Sequence, residues 1–253
     1  MELYYAITFF IFGTILGSFY NVVGYRLPKG ESILFPASHC PNCNHQLRPL
    51  ELIPIFSFFL QGGKCKKCGL KISWFYPIFE FFTGLLFAVS YLIFGMSIEF
   101  LIAITFVSMV LIIVISDYQY MIIPDEVLIV STILLSIEIL ALKGISGLGL
   151  ALLNGVIAFT IMFSLKKFGD FLFKKESMGG GDIKLLFVFG LVFGWQMAVM
   201  SIFIASFIGL PISLIILYKN KNNIIPFGPF LSAGALMILF TQIDFNWIVN
   251  LFR

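Results

Sequence analysis

The sequence predicts an all-α, polytopic transmembrane helical bundle of about eight spans, with a cysteine loop inserted after the first helix. Three observations carry this. Apolar residues make up 60% of the 253 residues and charged residues only 11%, with a mean hydropathy of +1.03; soluble domains carry about a quarter charged residues. The apolar residues gather into long uncharged runs and do not alternate as they would in a barrel. Lys and Arg concentrate in a few of the intervening segments. Open β-structure is excluded in lipid, where its edge groups would stay unpaired.

Taken in order, Leu3–Val23 is an uncharged run long enough to span a bilayer at ~1.5 Å per residue. It lacks the basic segment that opens a cleavable signal, so a retained first helix is expected. Pro77–Gly95 and Phe100–Ser116 follow, then Val127–Leu142 and Ile145–Leu165. The uncharged stretch Leu185–Tyr218 is too long for one helix, and Gly194, Trp195 and Gln196 divide it. An eighth run begins after Pro226–Pro229 and ends near Ile243. Three parts are expected: a first helix (1–23), a cysteine loop (24–74) and a helical body (75–253).

Basic residues set the orientation. Segment 24–74 holds Arg26, Lys29, Arg48, Lys64, Lys66, Lys67 and Lys71 against Glu31 and Glu51. Lys166, Lys167, Lys174 and Lys175 follow span five; Lys219 and Lys221 follow span seven. With eight spans these segments share one side, the cytoplasm, and both termini face outward beside Lys143 and Arg253.

All four cysteines lie in the loop, as Cys40-Pro-Asn-Cys43 and Cys65-Lys-Lys-Cys68. Paired CxxC knuckles present four thiolates to one tetrahedral Zn²⁺, and four sulfur ligands leave no open position, so the metal would be structural. The nearby lysines favour thiolate. Two disulfides are the alternative, and a reducing cytoplasm opposes them. Gly69 follows the second knuckle, where the turn needs a small residue. His39 and His45 flank the first and are expected at the surface or beside the metal site, not as ligands.

Carboxylates at membrane depth are costly and usually functional. Asp117 and Asp125 bracket the connection between spans three and four; Gly179-Gly-Gly-Asp182-Ile-Lys184 opens span six. Eight spans place both segments on the cytoplasmic side. Two close carboxyls can share a proton, one activating water while the other polarises a carbonyl. Asp117 and Asp182 are the pair expected to do so. Glycines beside Asp182 permit close approach. Helix capping, with Asp125 as an N-cap, and ion transport remain open as other uses of these acids, as does a zinc-stabilised scaffold without chemistry. The Lys-Ser/Thr of a phosphate-binding loop is missing. Glu80 lies near the start of span two; Glu99, Glu138 and Asp244 read as boundary charges.

Together these motifs resemble the type IV prepilin peptidases, membrane aspartic proteases with a GxGD motif. The resemblance runs from about Gly13 to Ala235. It rests on Gly17 to Pro28, His39 to Cys43, Glu51 to Pro54, Gly63 to Gly69, Ile72-Ser73, Tyr76-Pro77 with Glu80, Asp117, Ile123-Pro-Asp125, Gly179 to Leu185 and Phe227 to Phe230. It implies removal of the short basic leader from type IV prepilins and pseudopilins at the cytoplasmic face of the bacterial inner membrane. Asp117 and Asp182 would be catalytic, and Asp125, Gly179, Gly180, Gly181 and Lys184 would support them. It further implies N-methylation of the new N-terminus with S-adenosylmethionine, associated with loop 24–74 and with Tyr76, Pro77 and Glu80. The Arg that usually precedes Tyr-Pro in the family is Phe75 here. Partners implied are prepilins and the lipid bilayer; no nucleic acid is expected.

Overall fold

A computed structural model describes residues 1–176, 178–219, 225–245 and 250, without the side chains of Leu217 and Lys219. Lys221 and Arg253, used for orientation above, lie outside the described residues. Eight α-helices are present among those described: α1 (Glu2–Arg26), α2 (Phe56–Leu60), α3 (Phe75–Phe94), α4 (Ile98–Tyr120), α5 (Asp125–Phe173), α6 (Gly180–Phe193), α7 (Trp195–Lys219) and α8 (Gly228–Thr241). No strand occurs among the described residues; two isolated bridges lie in the cysteine loop.

The chain divides into two units, Met1–Phe100 and Leu101–Arg253. In the first, α1 packs along α3 through small residues. A Cβ on Gly13 would lie 2.9 Å from the Gly84 Cα, and one on Gly84 would lie 2.7 Å from the Phe10 carbonyl. Such close backbone approach is how helices associate where lipid removes the hydrophobic drive. Phe87 fills the seam and is almost fully buried.

In the second unit α5 is broken at Gly144, whose backbone (φ 67°, ψ −173°) lies outside the helical region. The break falls between the fourth and fifth runs of the sequence. Gly194, at φ +84°, separates α6 from α7 where the long uncharged stretch was expected to divide. Glycines again mark the seams: Gly155 and Gly190 bring α5 onto α6, and Gly234 brings α8 onto α7. Phe106 of α4 meets Phe189 and Phe193 of α6, with ring centroids 5.3 and 5.0 Å apart.

Among the described residues, five helical stretches are long and apolar enough to cross a membrane: Glu2–Lys29, Phe75–Phe94, Ile98–Tyr120, Asp125–Phe173 and Trp195–Ile216. Helices α6 and α8 have 14 residues each, about 21 Å, against a hydrocarbon thickness of about 30 Å.

Candidate active site and metal centre

The cysteine loop folds as two matching turns. The Cys40 N–H donates to the His45 carbonyl and the Asn44 N–H to the Cys40 carbonyl, both at 2.9 Å. Cys65, Leu70 and Gly69 repeat the pattern at the same distances. The residue after each second cysteine must adopt a left-handed backbone: Asn44 at φ 53° and Gly69 at φ 73°. Asn tolerates this region better than most residues, which is why one turn shows no glycine in the sequence.

The turns converge the four sulfurs to within 4.8 Å of one another. Cys40 Sγ lies 3.7 Å from Cys68 Sγ, and Cys43 Sγ 3.9 Å from Cys65 Sγ. A disulfide requires about 2.05 Å. A zinc tetrahedron with bonds of about 2.3 Å places its sulfurs about 3.8 Å apart, so the donor set fits that ion. The Leu70 N–H, with the Asn42 side chain, pulls the Cys68 thiol down to about 6.

Glu51 ties the two turns together. Its carboxylate accepts the Arg48 N–H at 2.8 Å and lies 3.2 Å from His45 Nε2 in the first knuckle and 3.9 Å from Lys66 Nζ in the second. The Arg48 N–H first, then His45 and Lys66, hold this carboxyl below the usual glutamate range. His45 thus stands beside the metal site as expected, and His39 turns to the Ala37 carbonyl. Glu51 had no distinct role in the sequence; the signal was an acid inside a basic loop.

In the second unit, the end of α4 and the starts of α5, α6 and α8 meet. Asp117, in the last turn of α4, is buried, and its Oδ2 accepts the Gly228 N–H at 2.9 Å. Asp182, third residue of α6, is buried close enough to Asp117 for the two charges to interact. Gly181 allows this: a Cβ there would come within 2.8 Å of Ile123, in the α4–α5 connection. A Cβ on Gly179 would make ordinary contact with Asp182, and one on Gly180 would meet nothing within 4 Å.

Asp125 is not the N-cap of α5. Pro124 holds that position, Asp125 is the first helical residue, and both its oxygens receive Lys184 Nζ at 2.7 Å. This pair links the start of α5 to α6, two residues on from Asp182. Glu138, half-buried in α5, accepts the Thr105 hydroxyl at 2.7 Å. Gly228 lies in the Phe227 to Phe230 segment that carried the resemblance, but its contact with Asp117 could not be read from the sequence. In the first unit, Tyr76 and Pro77 lie in the first turn of α3, and the buried Glu80 one turn on accepts the Ile55 N–H at 2.8 Å.

Two buried carboxyls within electrostatic reach of one another at the ends of apolar helices are what a membrane-embedded acid protease would require, and comparison with known proteins shows the family. Residues 11–94 match the Bacterial Peptidase A24 N-terminal domain, and residues 104–214 match the Type IV leader peptidase family. The chain is 37% identical over 231 residues to the prepilin leader peptidase/N-methyltransferase of Bacillus subtilis (strain 168), covering 90% of this chain and 91% of that one. Its namesake in Aeromonas hydrophila is 30% identical over 281 residues, covering 99% and 95%; that in Pseudomonas aeruginosa is 30% identical over 258, covering 90% and 88%. No solved structure matches the chain. The chain belongs to the type IV leader peptidase family.

Proposed function

We propose that this protein removes the leader peptide from type IV prepilins or pseudopilins and methylates the N-terminus that cleavage exposes. The observation that carries the peptidase is the meeting of Asp117 and Asp182 where four helix ends converge. Oδ2 of Asp117 receives an amide N–H and can only accept, so a proton on this carboxyl sits on Oδ1. One carboxylate takes a proton from water as its oxygen attacks the scissile carbonyl; the other carboxyl donates a proton to the carbonyl oxygen. Collapse of the tetrahedral adduct breaks the C–N bond, and the amine leaves with a proton returned from the dyad. Asp125 with Lys184 holds α5 and α6 in register. Gly181 lets the start of α6 pack closely against Ile123.

Eight crossings, with α5 counted once on each side of Gly144, put loop 24–74, the α4–α5 connection and the start of α6 on the cytoplasmic side of the inner membrane. The meeting of α4, α5, α6 and α8 at one end of the second unit supports this alternation. The functional parts are then the first helix (1–23), a loop tied to methylation (24–74) and the peptidase bundle (75–253). Cys40, Cys43, Cys65 and Cys68 hold a structural zinc ion that keeps the loop folded. S-adenosylmethionine supplies an electrophilic methyl group. For it or its acceptor the first unit offers a buried Glu80 and a buried Asn21 carbonyl oxygen without a partner among the described residues, and a buried acceptor of this kind fits a ligand bearing N–H groups.

The test is cleavage of a prepilin in detergent by the wild type, Asp117→Asn and Asp182→Asn, each shown to be folded. Cleavage by the wild type alone is expected. Undiminished cleavage by either variant would remove that residue from the dyad.

A further inference from the structure

The first unit contains a buried polar cluster that proteolysis does not use. Helices α1 and α3 run antiparallel: Gly13 faces Gly84, Gly17 faces Glu80 and Thr83, and the Tyr25 ring lies 5.9 Å from that of Tyr76. Asn21, one turn beyond Gly17, therefore faces α3 between Tyr76 and Glu80. Asn21 is 3% exposed and Glu80 8%.

The hydrogen-bond accounting of this cluster is one-sided. Glu80 Oε2 accepts the Ile55 N–H at 2.8 Å. Two carboxylate oxygens offer about four acceptor sites, so capacity remains. Asn21 Nδ2 donates to the Gly17 carbonyl at 3.1 Å, while Asn21 Oδ1 is buried without a partner among the described residues. What is spare is acceptor capacity, and the group that fits must bring donors.

The chain strains to build it. Ile55 adopts φ 63°, ψ −56°, and the Phe56 N–H closes on the Pro54 carbonyl at 2.6 Å. This is a strained γ-turn, and a β-branched residue at positive φ is a genuine outlier. Strain of this kind persists at functional sites, and here it aims the Ile55 N–H at Glu80.

We propose that Asn21 and Glu80 form a subsite for a primary ammonium group. An ammonium brings three N–H donors and a charge to match the carboxylate. This rests on the methyltransferase reading, in which two molecules carry such a group: the processed pilin at its new N-terminus and S-adenosylmethionine at its amino-acid end.

The experiment measures binding to the full-length protein in detergent by calorimetry. Four probes are used: S-adenosylmethionine, its desamino analogue, a peptide with the mature pilin N-terminus, and the same peptide N-acetylated. Wild type is expected to bind one amine at least roughly tenfold tighter than its blocked form, since hydrogen bonds to charged groups carry this much. Which pair shows the gap identifies the source. Glu80→Gln keeps an acceptor for Ile55 and is expected to close the gap, as is Asn21→Ala; zinc content and monodispersity report folding. Equal binding of amine and blocked forms by wild type, or an unchanged gap in folded variants, would overturn the subsite. The wild-type comparison stands even if a variant misfolds. Methyl transfer by a wild type that shows no gap would refute the subsite alone; neither binding nor transfer would overturn the methyltransferase reading as well.

Discussion

Replacing Gly228 by Ala tests the proposed active site at one atom. Gly228 is the first residue of α8 and is absent from the positions with left-handed backbone, so alanine meets no conformational penalty there. Its new Cβ would instead lie 2.5 Å from Asp117 Oδ2 and 3.0 Å from Asp117 Cγ. The carboxyl must rotate or retreat, and the 2.9 Å bond from the Gly228 N–H is lost or bent. A hydrogen bond to a charged group contributes about 1.5–3 kcal/mol. At about 1.4 kcal/mol per decade of rate, that is roughly a ten- to hundredfold fall in kcat/KM for leader cleavage. Stability should move less, because alanine gains about 0.4–1 kcal/mol through the unfolded chain against about 1–3 kcal/mol of overpacking. The control is Gly180→Ala, where a Cβ meets nothing within 4 Å; its cleavage rate should stay within about twofold of wild type. A Gly228→Ala enzyme with wild-type kinetics would show that this amide does not position Asp117. Equal losses in both variants would point to general sensitivity of the glycines and not to the contact.

Two further substitutions separate the parts of the molecule. Glu51→Gln weakens the link between the cysteine turns and should lower zinc affinity roughly 10- to 100-fold, as changes beside metal ligands do; competition with a chelator measures it, and unchanged retention would deny Glu51 that role. Asp125→Asn breaks an ion pair whose partners are about half exposed, Lys184 at 51% and Asp125 at 55%. Exposed pairs contribute about 0–1 kcal/mol, so cleavage should fall no more than about fivefold, and abolished cleavage would place Asp125 among the reacting groups.

Much of the fold was legible because its punctuation is local. Gly144 and Gly194 break helices through their own backbone conformations, and each fell where an apolar run ended or had to divide. The four cysteines were legible through spacing alone. Asp117 and Asp182 stood out because acids are rare in apolar runs. What stayed hidden depends on distant contacts. The partner of Glu138, the Thr105 hydroxyl, lies 33 residues away and could not be read from local sequence. Asn44 carries a turn that glycine carries in its twin, and only the backbone angle reveals the equivalence. The α6 and α8 segments read as full spans from composition, yet their helices are 14 residues long.

The two units hold their buried carboxylates by the same device. Glu80 accepts a backbone N–H from Ile55, 25 residues earlier; Asp117 accepts one from Gly228, 111 residues later. A backbone donor carries no side-chain signature, which is why neither contact could be read from residue type. It is also indifferent to most side-chain substitutions, so replacing its neighbours by alanine would leave both contacts in place. The sensitive positions are those where the backbone itself must come close or bend: Gly228, where any Cβ invades the carboxylate, and Ile55, where the turn is strained. Mutations there should therefore impair chemistry out of proportion to the size of the atoms they add, the first on cleavage and the second on binding of the amine.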